Sequence, residues 1–97
     1  MAVGACDRSA MACFSFHPVK TMATGEGGIV TTNDDELAAR LRNIRSSYGA
    51  GHPVHVSRTA NGRMSEAQAA IALLSLDNFA QTLERNRDVF AAYRDAL

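Results

Sequence analysis

Apolar positions along the chain fall into two short runs followed by three longer periodic stretches. Met11-Ala-Cys-Phe-Ser-Phe16, set between Ser9 and Pro18, is compact and carries two aromatic rings, which predicts a strand buried on both faces. Ile29-Val-Thr-Thr32 is β-branched throughout and predicts a second strand returning beside the first. Between them Thr24-Gly-Glu-Gly-Gly28 concentrates glycine, which admits the backbone angles of a turn. Pro18 lacks a ladder donor and ends regular pairing, so Lys20 is expected on the irregular segment just past the first strand.

The period then changes from strand to helix. Leu37, Leu41 and Ile44 recur at i, i+4 and i+7 and predict one apolar stripe, with Arg40, Arg42 and Arg45 facing elsewhere. Asn33 as N-cap and Glu36 three residues on have the spacing of a capping box. Ser46 to Ala60 has no helical period and reads as loop, with a few extended residues around Val54-His-Val56. Ser65 and Gln68 form a second capping box, and Ala69, Ala70, Ile71, Leu73 and Leu74 make the following helix apolar nearly all round, which predicts burial on several sides. Asp77 and Asn78 break or bend it. A last helix carries Phe79, Leu83, Phe90, Tyr93 and Leu97 on one stripe. Two strands and three helices give an α/β chain whose first strand and apolar helix call for further neighbours, so the chain is expected to be part of something larger.

Composition narrows the class. At 97 residues the chain holds one small domain at most, and 46% hydrophobic with 21% charged residues fits a globular protein. Ten basic residues balance ten acidic ones, so bulk charge points to neither nucleic acid nor an anionic membrane. The longest apolar stretch, Ala69 to Leu74, is too short to span a bilayer, and residues 1–8 lack the pattern of a secretory signal. Cys6 and Cys13 are expected as thiols in a reducing compartment, the cytoplasm. With His17, His52 and His55 they offer no Cys-x2-4-Cys pair, so no metal site is expected. Of the basic residues nine are Arg and one is Lys, which leaves Lys20 as the only side-chain amine.

A lysine where an apolar strand ends is placed for its amine to be desolvated and kept neutral, the form that attacks an aldehyde. Ser15 can donate a hydroxyl to a phosphate, and the glycine turn lets backbone pass close to a cofactor. The residues from Phe14 to Asn33, with the core Ser-Phe-His-Pro-Val-Lys at 15–20, closely resemble the lysine motif of the DegT/StrS-type sugar-nucleotide aminotransferases. Asn61-Gly-Arg-Met-Ser-Glu-Ala-Gln-Ala-Ala70 resembles that family's second signature, in the right order and after the expected helix and loop.

The resemblance covers essentially the whole chain and implies specific roles. The family folds as the large α/β/α domain of fold-type I aminotransferases, around a mainly parallel sheet, and works as a dimer. Lys20 matches the lysine that binds pyridoxal 5'-phosphate covalently and shuttles a proton at the substrate. Ser15 matches the serine on the cofactor phosphate, and Asn61 the asparagine that reaches that phosphate from the neighbouring subunit. The implied amino donor is glutamate and the acceptor a keto group of a nucleotide-linked deoxysugar, with cyclitol and amino-benzoate relatives as variants. Residues 1–78 are expected to belong to the cofactor-binding large domain, and 79–97 to start the helix toward the small C-terminal domain. The family's aspartate beneath the pyridine nitrogen has no match here, since Asp7 lies too close to Lys20. The isolated chain is therefore expected to be an inactive fragment; the alternative is a non-catalytic remnant or interaction module. A sugar dehydratase of the same family is opposed by Lys20, because a histidine stands there in such enzymes. His17 beside the lysine has no assigned role.

Overall fold

The computed structural model describes residues 2–97. Its elements are β1 (Ala12–Ser15), β2 (Gly28–Thr31), α1 (Asp35–Ile44), α2 (Glu66–Asp77) and α3 (Phe79–Ala96). Their order is the expected one, two strands and then three helices. The strands pair with each other in an antiparallel two-stranded sheet. The chain divides into two compact units, one formed by Met1–Phe14 with Gly28–Met64, the other by Ser15–Gly27 with Ser65–Leu97.

The first unit holds β2, most of β1, and α1. Burial of β1 on both faces is not met within this chain: Ala12 and Phe14 are half-buried while Cys13 and Ser15 are exposed. Among the described residues β1 has one strand partner, and its covered face meets the amino-terminal segment. A Cβ built on Gly4, whose φ is +92°, would fall 2.6 Å from Cζ of Phe14, so that glycine lies against the ring. Three side chains beyond or at the end of β2 strap the same segment down: Thr31 Oγ1 donates to the Gly4 carbonyl, Thr32 Oγ1 to Ala10, and Asn33 Nδ2 to Ala5.

Those straps explain two further differences. β2 spans Gly28–Thr31 rather than 29–32, because Thr32 leaves the ladder with its hydroxyl engaged by Ala10 and by the Asp34 amide. Asn33 is not the helix cap, since its amide serves Ala5. Asp34 caps instead, with its carboxylate accepting from Leu37 N at 2.9 Å, and its charge suits the helix start. On α1, Leu37 and Leu41 are half-buried, Ile44 is exposed, and the three arginines face out as expected.

Residues 46–60 form a loop, as the missing period predicts. The Val54 carbonyl in this loop is taken by a side chain. Buried Asn43 donates through Nδ2 to the carbonyls of His52 (3.0 Å) and Val54 (2.8 Å) and accepts from Ala50 N (2.9 Å). The loop then returns along the end of α1, where Ala60 N donates to Ile44 O and Gly62 N to Arg45 O.

The second unit holds α2, α3 and residues 15–27. Ser65 and Gln68 make both bonds of the capping box that opens α2. Within this chain the helix is not covered on several sides: Ile71, Leu73, Leu74 and Leu76 are all exposed, and no residue of α2 is buried. Among the described residues the only helix it touches is α3, and its side chains Gln68 and Ser75 also meet residues 23–26. Asn78 divides the two helices, its side chain donating to Leu74 O and its carbonyl accepting from Thr82. Phe79 and Leu83 are half-buried, whereas Phe90, Tyr93 and Leu97 of the same stripe are exposed. Phe16 is the one buried hydrophobic residue among those described.

Candidate functional site

The segment that carries Lys20 is a closed loop in the second unit. Phe16 forms its base through both backbone groups: its N–H donates to Gly27 O at 2.9 Å, and its carbonyl accepts from Thr24 N at 3.0 Å. The buried Phe16 ring and buried Thr24 anchor the two arms there. Thr24 Oγ1 donates to Glu26 O at 2.6 Å, which tightens the turn whose Gly25 and Gly27 take φ of +83° and +134°. Side chains of α2 hold the returning arm, with Gln68 Nε2 donating to Glu26 O (3.0 Å) and Ser75 Oγ to Ala23 O (3.4 Å).

Within the loop, residues 17–20 form a tight turn in which Lys20 N donates to His17 O at 2.9 Å. Pro18 stands second in that turn, where its fixed φ is favourable. His17 Nδ1 accepts from Val19 N at 3.4 Å, so the ring helps to shape the turn. Ser15 Oγ accepts from His17 N at 3.2 Å, which leaves the hydroxyl hydrogen free to donate. Ser15 and Lys20 thus stand in one unit, at the end of β1 and at the close of the following turn.

Within this chain Lys20 is not desolvated: the residue is exposed. The physical reason is the turn itself, which carries residues 17–21 clear of the strand and of buried Phe16. Its side chain lines a cavity of about 360 Å³ together with Val19, Thr21, Thr82, Arg85 and Asn86. Asn61 lies in the other unit, exposed, between Ala60 and Gly62, whose amides are tied to the end of α1. That anchoring fixes the backbone on either side of Asn61.

Several residues that organise the site carried no legible signal. Thr24, Gln68 and Ser75 hold the lysine loop from positions up to 52 residues apart. Only Gln68 stood out in the sequence, and for its place in the capping box. Cys6 and Cys13 are free thiols, and among the described residues no three His, Cys, Asp or Glu side chains gather as metal ligands. No helix among the described residues is long and apolar enough to cross a membrane.

Comparison with known proteins gives the arrangement a context. Residues 2–97 match the sequence profile described as the DegT/DnrJ/EryC1/StrS aminotransferase family. The chain is 39% identical over 90 residues to the UDP-2-acetamido-2-deoxy-3-oxo-D-glucuronate aminotransferase of Pseudomonas aeruginosa, covering 91% of this chain and 25% of that protein. It is 42% identical over 89 residues to the dTDP-3-amino-3,4,6-trideoxy-alpha-D-glucose transaminase of Micromonospora megalomicea subsp. nigra, covering 89% and 24% respectively. The chain therefore spans about a quarter of the length of these curated relatives. No solved structure matches it significantly.

Proposed function

This chain belongs to the DegT/DnrJ/EryC1/StrS aminotransferase family, and from that premise we propose that it carries the amine-bearing centre of a sugar-nucleotide aminotransferase. The complete protein transfers an amino group from glutamate to a keto group of a nucleotide-linked sugar. The two relatives are both named as aminotransferases or transaminases of nucleotide sugars, which supports that class of acceptor. In this reading residues 1–78 form part of a fold-type I large domain, and 79–97 lead toward a second domain. The protein works as a homodimer in the cytoplasm, where Cys6 and Cys13 stay reduced.

The observation that carries the reading is the placement of the only lysine. Lys20 closes the His17–Lys20 turn, is exposed, and makes no ion pair among the described residues, so its amine is available to a ligand. The donor set fits pyridoxal phosphate: one unpaired amine, and a serine hydroxyl with its hydrogen uncommitted. Lys20 would hold the cofactor through Nζ, Ser15 would donate to its phosphate, and Asn61 would reach that phosphate from the partner subunit. When bound, the cofactor supplies an electron sink that acidifies the substrate carbon bearing the amino group. Lys20 Nζ then holds or moves the proton at that carbon, and the anchored loop keeps the amine in place. His17 positions the lysine by shaping its turn.

Reduction of the cofactor-loaded full-length protein with borohydride, followed by peptide mapping, tests the assignment. The label is expected on the peptide containing Lys20. Lys20→Ala is expected to lower transamination by at least about a thousandfold, the scale of losing a covalent catalytic group. A label on another lysine, or an active Lys20→Ala protein, overturns it.

A further inference from the structure

We infer that Arg85, on α3, receives the carboxylate of the amino donor in the cavity that Lys20 lines, and so acts as a positioning and specificity residue. The inference rests on the reading of Lys20 given above and extends it to a residue of another element. Val19, Lys20, Thr21, Thr82, Arg85 and Asn86 line this cavity of about 360 Å³. That volume lies at the small end of ligand pockets, roughly 300–1,000 Å³. Two of its six lining residues are cationic, two are hydroxyl-bearing, one is an amide, and none is acidic. Among the described residues the ion pairs join Arg40 to Glu36 and Arg94 to Asp95, so the guanidinium of Arg85 has no carboxylate partner among them. With the Lys20 amine committed to the cofactor, a small cavity with one unpaired guanidinium and neutral hydrogen-bonding groups suits an oxyanion.

Chemistry chooses which oxyanion. The α-carbon of the donor must come within proton-transfer reach of Lys20 Nζ. Its carboxylate is bonded to that same carbon and necessarily arrives beside the lysine. The diphosphate of a nucleotide sugar is set off from its reacting keto carbon by the sugar ring and is under no such constraint. The cofactor phosphate already has Ser15 and Asn61 as its proposed partners. A guanidinium matches a carboxylate with two parallel hydrogen bonds, which fixes the orientation of the α-carbon as well as binding it. Thr82 already donates its hydroxyl hydrogen to Asn78 O, which settles that side chain at the cavity wall.

The test uses the cofactor-loaded full-length protein and glutamate alone, without an acceptor sugar. In Arg85→Gln the glutamate concentration giving half-maximal change of the cofactor's absorbance is expected to rise roughly 10- to 100-fold, the loss of a charge-assisted pair. Arg85→Lys, which keeps charge but not the two-pronged geometry, is expected to shift it less, about 3- to 10-fold. Glutarate, which has the carboxylates but no amine to transfer, is expected to bind the unsubstituted protein by calorimetry and to bind Arg85→Lys more weakly. If Arg85→Gln does not fold, the lysine variant and the glutarate titration decide. A half-maximal concentration within about twofold of the unsubstituted protein overturns the inference, as does glutarate binding that ignores Arg85 or is absent. A change in cofactor affinity with the glutamate response unaltered overturns it too. Borohydride labelling of Lys20 keeps the two readings apart, since a labelled lysine with an unchanged glutamate response sinks the role of Arg85 alone.

Discussion

The two long loops of this chain are held in opposite ways. Residues 46–60 depend on one side chain, Asn43, whose bonds reach only 7 to 11 residues along the sequence. The lysine loop depends on many partners, and two of them, Gln68 and Ser75, bond across 42 and 52 residues. The first loop is set by local chemistry at the end of α1. The second is closed at its base by Phe16 and Thr24 and held in addition by side chains of α2. A loop proposed to hold a reactive amine is thereby coupled to a helix that contributes no residue to the proposed chemistry, and the two loops should respond differently to single substitutions.

The largest difference is expected at Phe16. It is the one buried hydrophobic residue described, and both of its backbone groups close the base of the lysine loop. Phe16→Ala is expected to destabilise the loop by about 3 kcal/mol, the low end of the range for deleting a buried aromatic ring. Hydrogen exchange of the Thr24 amide, which donates to Phe16 O, should accelerate strongly, while the Ala50 amide in the other loop keeps its protection. Equal acceleration at both amides would show that the loops are not independent.

How much of this arrangement the sequence could disclose follows the same division between local and distant bonds. The element order, the Ser65–Gln68 capping box, the break at Asn78 and the free thiols were legible because each depends on residues a few positions apart. The cap of α1 was misplaced by one residue because Asn33 is drawn away by the carbonyl of Ala5, 28 positions earlier. Burial of β1 and α2 is incomplete within this chain because an apolar run states a preference for neighbours, and among the described residues those neighbours do not cover either element. Lys20 could be found as the only lysine beside a strand end and by its family motif. Its exposure, and the cavity it shares with Arg85, could not, because they depend on how residues 17–21 meet a helix some 60 positions on.

Asn43 should give the second-largest effect, confined to its own loop. Asn43→Ala removes two donors and one acceptor from a buried position and is expected to cost about 2 kcal/mol, since each net bond is modest but the stranded groups add a penalty. Exchange at Ala50 should accelerate with Thr24 unaffected, the reverse of the Phe16 pattern. Asn43→Asp keeps the acceptor for Ala50 but sets a carboxylate against the carbonyls of His52 and Val54, and is expected to cost at least as much as the alanine variant.

The smallest effect is the most informative, because Gln68 serves two structures at once. Its Oε1 accepts from Ser65 N at 3.2 Å to complete the cap of α2, while its Nε2 donates to Glu26 O at 3.0 Å on the lysine loop. Gln68→Ala should lose both at a cost of about 1 kcal/mol, modest because the side chain is only half-buried. Gln68→Glu separates the two roles: a carboxylate can still accept from Ser65 N, and at the first turn of a helix its charge is favourable, but it has no hydrogen to give Glu26. The glutamate variant is therefore expected to keep the protection of the first turn of α2 while the Thr24 amide exchanges several-fold faster, on the scale of one lost neutral hydrogen bond. Loss of protection in the helix but not in the loop would mean that Gln68 only caps α2. The lysine loop would then be held by Phe16 and Thr24, without the long-range coupling that sets it apart from the loop under Asn43.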